Sequence, residues 1–159
     1  MLQGTAPPRL GSSRSGSYTM LKVVIIDGSA ISRGLLNTVL TSGGHEVVGD
    51  SNTTPAGLAR MIKLQPQLVC VDIGNEDDCM AILDTLREGL PRAILFLVSG
   101  KIEPATVEQA LQHGVHGFIV KPFNSVTVLK TIRNAVINVV KKQQAMTSAQ
   151  ISTEQENKK

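Results

Sequence analysis

The chain predicts a doubly wound α/β fold built on a five-stranded parallel sheet. Two observations carry this. A short apolar run followed by a helical stretch occurs five times, the alternation that builds βαβ units. The apolar runs hold few polar residues, as strands do when helices cover both faces of a sheet.

Residues 1–19 are rich in Gly, Ser, Pro and Thr and lack apolar periodicity. They read as a disordered leader or an added extension, with Met20 directly before the first strand. Leu21 to Ile26 is that strand, and it ends in Asp27. Ile31, Leu35, Leu36, Val39 and Leu40 follow at helical spacing as one buried face, and Gly43-Gly44 ends the helix. Glu46 to Val48 is the second strand. Thr54 as N-cap and Pro55 in the first turn start the second helix, with Leu58, Met61, Ile62 and Leu64 as its buried face.

Leu68 to Val71 is the third strand and ends in Asp72. Glu76, Asp77 and Asp78 open the third helix, where acids suit the positive end of the helix dipole. Ala93 to Val98 is the fourth strand and ends at Ser99. Glu103 and Pro104 start a helix carrying Val107, Ala110 and Leu111. Phe118 to Val120 is the fifth strand and leads into Lys121-Pro122. Asn124 caps the last helix, with Val128, Leu129, Ile132, Val136 and Val139 along one face. The run Val136 to Val140 is wider than one buried stripe needs; it reads as a covered helix, with a partly exposed, sticky face as the alternative. Residues 143–159 are mostly polar and read as a flexible tail, so residues 20–142 form the folded domain.

Composition removes several function classes. There is no Trp, one Tyr and three Phe, too few rings for a base-stacking surface or a flavin site. Arg9 and Arg14 supply two of the formal +3 charges, so the folded region lacks the basic footprint of direct nucleic-acid binding. Cys70 and Cys79 make no disulfide framework, which fits a reduced, cytoplasmic protein. No apolar stretch is long enough for a membrane span. Zinc spacings and dinucleotide-binding glycine motifs are absent.

In a doubly wound sheet, ligands bind beyond the carboxyl ends of the strands. Four strands end in Asp27, Asp72, Ser99 and Lys121. Each alone has an ordinary explanation as a cap, turn or loop residue. Together, two carboxylates, a hydroxyl and an ammonium make a pocket for a hard cation and a phosphoryl group. A haloacid-dehalogenase-type phosphatase needs a second Asp two residues after the first, where this chain has Ser29. A flavodoxin-type electron carrier needs a better phosphate loop than Asp27-Gly28-Ser29-Ala30.

The segments VVIIDGSAISR (23–33), LVCVDI (68–73), LFLVSG (95–100) and GFIVKPF (117–123) resemble the four signature segments of response-regulator receiver domains. The resemblance covers residues 20–142. It implies the flavodoxin-like (βα)5 arrangement with strand order 2-1-3-4-5. It implies a module of two-component phosphorelays, cytoplasmic, that accepts and loses its own phosphoryl group and has no separate substrate. Asp72 matches the phosphoacceptor. Asp27, Asp72 and the backbone carbonyl of Gly74 match the Mg²⁺ ligands. Ser99 and Lys121 match the groups that hold the phosphoryl oxygens, Gly100 keeps access open, and Phe118 matches the aromatic switch. Lys121-Pro122 is a candidate cis peptide. The implied partners are a sensor histidine kinase or phosphotransfer protein, a downstream protein target and a second copy of the chain.

The chain departs from that pattern at Gly28, where the family usually has a second acid. Weaker Mg²⁺ binding is expected. Glu76 or Asp77, in a shortened loop, is a candidate replacement ligand. The alternative is a pseudo-receiver, an interaction module that works without phosphorylation.

Overall fold

The computed structural model describes residues 20–74 and 79–157, with side chains to residue 149. The elements are β1 (Lys22–Ile26), α1 (Ala30–Ser42), β2 (Glu46–Ser51), α2 (Pro55–Lys63), β3 (Leu68–Val71), α3 (Cys79–Gly89), β4 (Ile94–Ser99), α4 (Pro104–Gln112), β5 (Gly117–Val120) and α5 (Ser125–Asn157). All strand pairs are parallel, and the order is β2-β1-β3-β4-β5. This is the doubly wound arrangement expected from the sequence.

Strand alternation divides the core in two. Val24, Ile26, Val69, Val71, Leu95 and Leu97 face α2, α3 and α4. Val23, Ile25, Cys70, Phe96, Val98 and Ile119 face α1 and α5. Cys70 is fully buried, and burial pushes its thiol up to about 12, so it serves as a small core residue.

Local signals account for most boundaries. The Thr54 hydroxyl accepts the Gly57 N–H at 3.1 Å, and Pro55 occupies the first turn of α2. The Asn124 side chain accepts the Thr127 N–H at 3.0 Å and caps α5. The positive φ of Gly44 and of Gly114 suits glycine in the turns that follow α1 and α4.

Four expectations are corrected. Leu64, expected on the buried face of α2, is 44% exposed because it caps the end of that helix. Ile31 and Leu35 are 78% and 57% exposed, while Leu36 and Leu40 are buried. Ile31 and Leu35 share one row at spacing four, and Leu36 and Leu40 share another about 100° away. The sheet buries only the second row. Ile137 and Val140 are likewise open rather than covered, because α5 presents one stripe through Val128, Ile132 and Ala135 to the sheet. Finally, the segment from residue 143, expected as a flexible tail, continues α5 as helix to Asn157. Glu76, Asp77 and Asp78, read as the opening of α3, lie outside the described residues.

Candidate functional site

The strand order 2-1-3 makes β1 and β3 neighbours, with their connections leaving on opposite sides. A crevice opens at their carboxyl ends. Asp27 follows β1 and Asp72 follows β3. Each carries the sheet ladder one residue further: the Asp27 N–H donates to Ser51 O at 2.9 Å, and the Asp72 N–H to Ile26 O at 2.8 Å. Lys121 does the same after β5, donating to Ser99 O at 2.9 Å. Backbone pairing therefore fixes where these three side chains start.

The side chains converge. Lys121 Nζ lies 2.9 Å from Asp27 Oδ2 and 2.5 Å from Asp72 Oδ2. The other carboxylate oxygens are held by local turns. Asp27 Oδ1 accepts the Ser29 N–H at 2.8 Å, and Asp72 Oδ1 accepts the Gly74 N–H at 2.7 Å. Gly74 has φ +65, a left-handed conformation that glycine adopts without Cβ strain. Partial burial, the largest single influence, pulls the Lys121 pKa down. The hydrogen bonds and charges of Asp72 and Asp27 together outweigh it and lift the group above its ordinary value. Lys121 is therefore a fixed positive charge against two carboxylates, and the trio keeps one net negative charge.

Ser99 stands at the same edge, but its hydroxyl is turned to the following loop. It donates to Lys101 O at 2.8 Å and accepts the Lys101 N–H at 3.1 Å. Phe118 is half-buried against the cluster under α3 and α4. Lys121-Pro122 is cis, as the sequence suggested. Gly28 is exposed, and nothing lies within 4 Å of where its Cβ would stand.

Arg33 was not singled out from the sequence. Its Nη1 donates to Asp27 O at 2.6 Å and its Nε to Asp50 Oδ1 at 3.0 Å, bracing the end of β1 against β2. The available signal was position: α1 starts three residues after Asp27, so a residue one turn in folds back over the strand end.

The donor set suits a hard divalent cation. Two carboxylates that share one ammonium are oxygen ligands of the type Mg²⁺ takes. No group of three His, Cys, Asp or Glu residues gathers among the described residues, so waters and a phosphoryl oxygen would have to complete the shell. Glu76 and Asp77, the candidate replacements for the missing acid, lie outside the described residues.

A central acid pair, a lysine directly after β5 and a strand-end serine thus stand at one carboxyl edge of this sheet. The model of the response regulator receiver domain family matches residues 23–133, and the chain belongs to that family. It is 29% identical over 114 residues to the chemotaxis protein CheY of Thermotoga maritima, covering 70% of this chain and 93% of that protein. It is 28% identical to CheY of Bacillus subtilis, covering 72% and 97%. Vibrio cholerae CheY4 superimposes with TM-score 0.65 at 22% identity, over 74% of this chain and 99% of that one. NtrX of Brucella abortus gives TM-score 0.70 at 23% identity, over 80% of this chain and 29% of that one. The chain is thus a CheY-like receiver domain of two-component signalling. Among the described residues, no helix is long and apolar enough to cross a membrane.

Proposed function

We propose that the domain is a working phosphoacceptor that takes a phosphoryl group on Asp72 from a phosphohistidine. The observation that carries this reading is the shared ion pair, one Lys121 ammonium held between Asp27 and Asp72. An Asp72 carboxylate oxygen attacks phosphorus, the P–N bond breaks, and the imidazole leaves with the bonding electrons. Lys121 then exchanges its contact with the free carboxylate for one with a phosphoryl oxygen, and the Ser99 hydroxyl leaves Lys101 to donate to another. Phe118 follows by packing into the space that Ser99 vacates. Bound Mg²⁺, held by Asp27, Asp72 and the Gly74 carbonyl, would neutralise phosphoryl charge during transfer.

A phosphodonor must reach Asp72 over the elements that flank it. Ile31 and Leu35 on α1 and Val126 at the start of α5 are exposed, and they offer apolar contact to a histidine kinase or phosphotransfer protein. The changed surface then recruits a downstream protein or a second copy.

The test is amide NMR with Mg²⁺ and then beryllofluoride, a phosphoryl mimic, with Asp72→Ala as control. Shifts at Gly74, Ser99, Phe118 and Lys121 that the control abolishes are expected. An unchanged spectrum at millimolar Mg²⁺ would overturn the reading in favour of a pseudo-receiver, which Gly28 and the shortened loop after Asp72 favour.

A further inference from the structure

Helix α1 runs back against the strand direction, so its last turn lies with the strand starts, at the far end of the sheet from Asp72. There Ser42, Gly43 and His45 face the middle of α5 across a half-open groove of about 560 Å³. The floor is aliphatic and includes Val136, Ile137 and Val140. Ile137 and Val140 are 42% and 43% exposed, more apolar surface than α5 needs for the sheet.

The rim is basic. Arg133 and Lys141 line the groove. Both are exposed, and neither forms an ion pair among the described residues. From residue 125 to 149, α5 also carries Lys130 and Lys142 and has no Asp or Glu, and α1 has none either. Over residues 30–42 and 125–149 the two helices therefore carry no acid to neutralise the field at the groove.

We propose that the α1–α5 groove docks an acidic amphipathic helix of a partner protein. An apolar face laid in a groove between helices, with acids meeting a basic rim, is a standard mode of helix recognition. The other occupants fit less well. A two-fold contact with a second copy would set Arg133 and Lys141 against the same charges across the axis. Residues 1–19 carry Arg9 and Arg14 and no acid, so they do not complement the rim. An anionic bilayer receives a protruding apolar face, whereas this floor is recessed. The proposal is independent of phosphorylation at Asp72.

The experiment is a selection of displayed 16-residue helices with randomised surfaces against the full chain. The counter-selection target is the double variant Arg133→Glu with Lys141→Glu. Both substituted residues are exposed, and an amide spectrum unchanged outside the groove verifies the variant's fold. The expected peptides are net acidic with apolar residues at i, i+3, i+4 and i+7. They shift the amides of Gly43, Val136 and Val140, and bind the double variant at least about tenfold more weakly. Arg133→Gln with Lys141→Gln falls between. Absence of enrichment, peptides without acidic bias, equal binding to the variant, or shifts confined to another face would overturn the proposal. So would concentration-dependent dimerisation that shifts these amides, or the same shifts from phosphatidylglycerol vesicles without any from peptide.

Discussion

Lys121 reaches from the end of β5 past β4 to Asp72 at the end of β3, with Nζ 2.5 Å from Oδ2. The same nitrogen lies 2.9 Å from Asp27 Oδ2. A cation that binds these carboxylates therefore competes with a resident ammonium. Replacing Lys121 by Met removes the competitor and leaves two adjacent carboxylates unpaired. Mg²⁺ affinity should rise on the order of tenfold, about 1.4 kcal/mol. Beryllofluoride should then bind without the shift at Phe118, since the lysine that ties the phosphoryl group to β5 is gone. Calorimetric titration with Mg²⁺ checks the first outcome and amide NMR the second. Unchanged or weaker Mg²⁺ binding would mean that the metal does not use this pair.

Gly28 follows Asp27 at the crevice. Its missing Cβ would meet nothing within 4 Å, and its backbone is outside the left-handed region. Gly28→Asp should therefore fold normally and add a third carboxylate. Mg²⁺ affinity should rise by about ten- to a hundredfold, in line with one added charged ligand. Phosphorylation by a small-molecule donor should quicken with it. A variant that folds but binds Mg²⁺ no better would show that the crevice geometry, rather than the missing charge, limits the site.

The site was largely legible because topology forces it. Once the chain is read as alternating strands and helices, Asp27, Asp72, Ser99 and Lys121 must gather at one sheet edge. What the sequence hides are choices between equally apolar rows. Leu35 and Leu36 are identical in type, and only the placement of α1 on the sheet buries one and exposes the other. The extension of α5 was hidden for a different reason. Gln143-Gln144-Ala145-Met146 opens a segment polar enough to read as a tail, yet each of these four residues is a good helix former. Arg33 was missed because its main partner at Asp27 is a carbonyl, which no residue pattern marks.

Arg87 ties the far end of α3 to its neighbours. Its Nη1 lies 3.3, 3.0 and 3.1 Å from the carbonyls of Leu90, Pro91 and Ala93, and its Nη2 lies 2.7 Å from Gly114 O. A Cβ at Gly114 would stand 2.8 Å from the Arg87 Nε, in a residue already at φ +93. Arg87→Ala should cost on the order of 2–3 kcal/mol by leaving part-buried carbonyls without a donor. Urea unfolding at neutral pH measures it, and a loss under about 0.5 kcal/mol would mean that water replaces the guanidinium.

His45 and His116 predict how stability follows pH. His45 Nδ1 accepts the Leu21 N–H at 3.2 Å, and His116 Nδ1 accepts the Leu95 N–H at 3.1 Å. Burial lowers the pKa of both, and the charges of Arg87 and Lys142 add to the effect at His116. A base with a lowered folded pKa takes up its proton more readily when unfolded. Its contribution is complete above the ordinary value of 6.5 and is lost as pH falls below it. The melting temperature should therefore drop between about pH 6.5 and 5, and His45→Gln with His116→Gln should flatten that slope. An equal slope in the double variant would assign the acid sensitivity to the carboxylates.

The Ser99 hydroxyl is committed in the resting domain, since it donates to Lys101 O and accepts the Lys101 N–H. A phosphoryl group on Asp72 can recruit that hydroxyl only if both loop bonds break. A charge-assisted bond to a phosphoryl oxygen contributes about 1.5–3 kcal/mol, against about 1 for each neutral bond lost. The exchange is therefore close to balanced, and the switch should be partial rather than complete at saturation. Beryllofluoride should speed hydrogen exchange at the Lys101 amide while slowing it at Gly74, whose N–H is tied to Asp72. In Ser99→Ala the Gly74 response should persist and the Phe118 shift should vanish, because Lys121 alone does not draw β4 toward the acceptor. A Phe118 shift that survives in Ser99→Ala would route the signal through Lys121 instead.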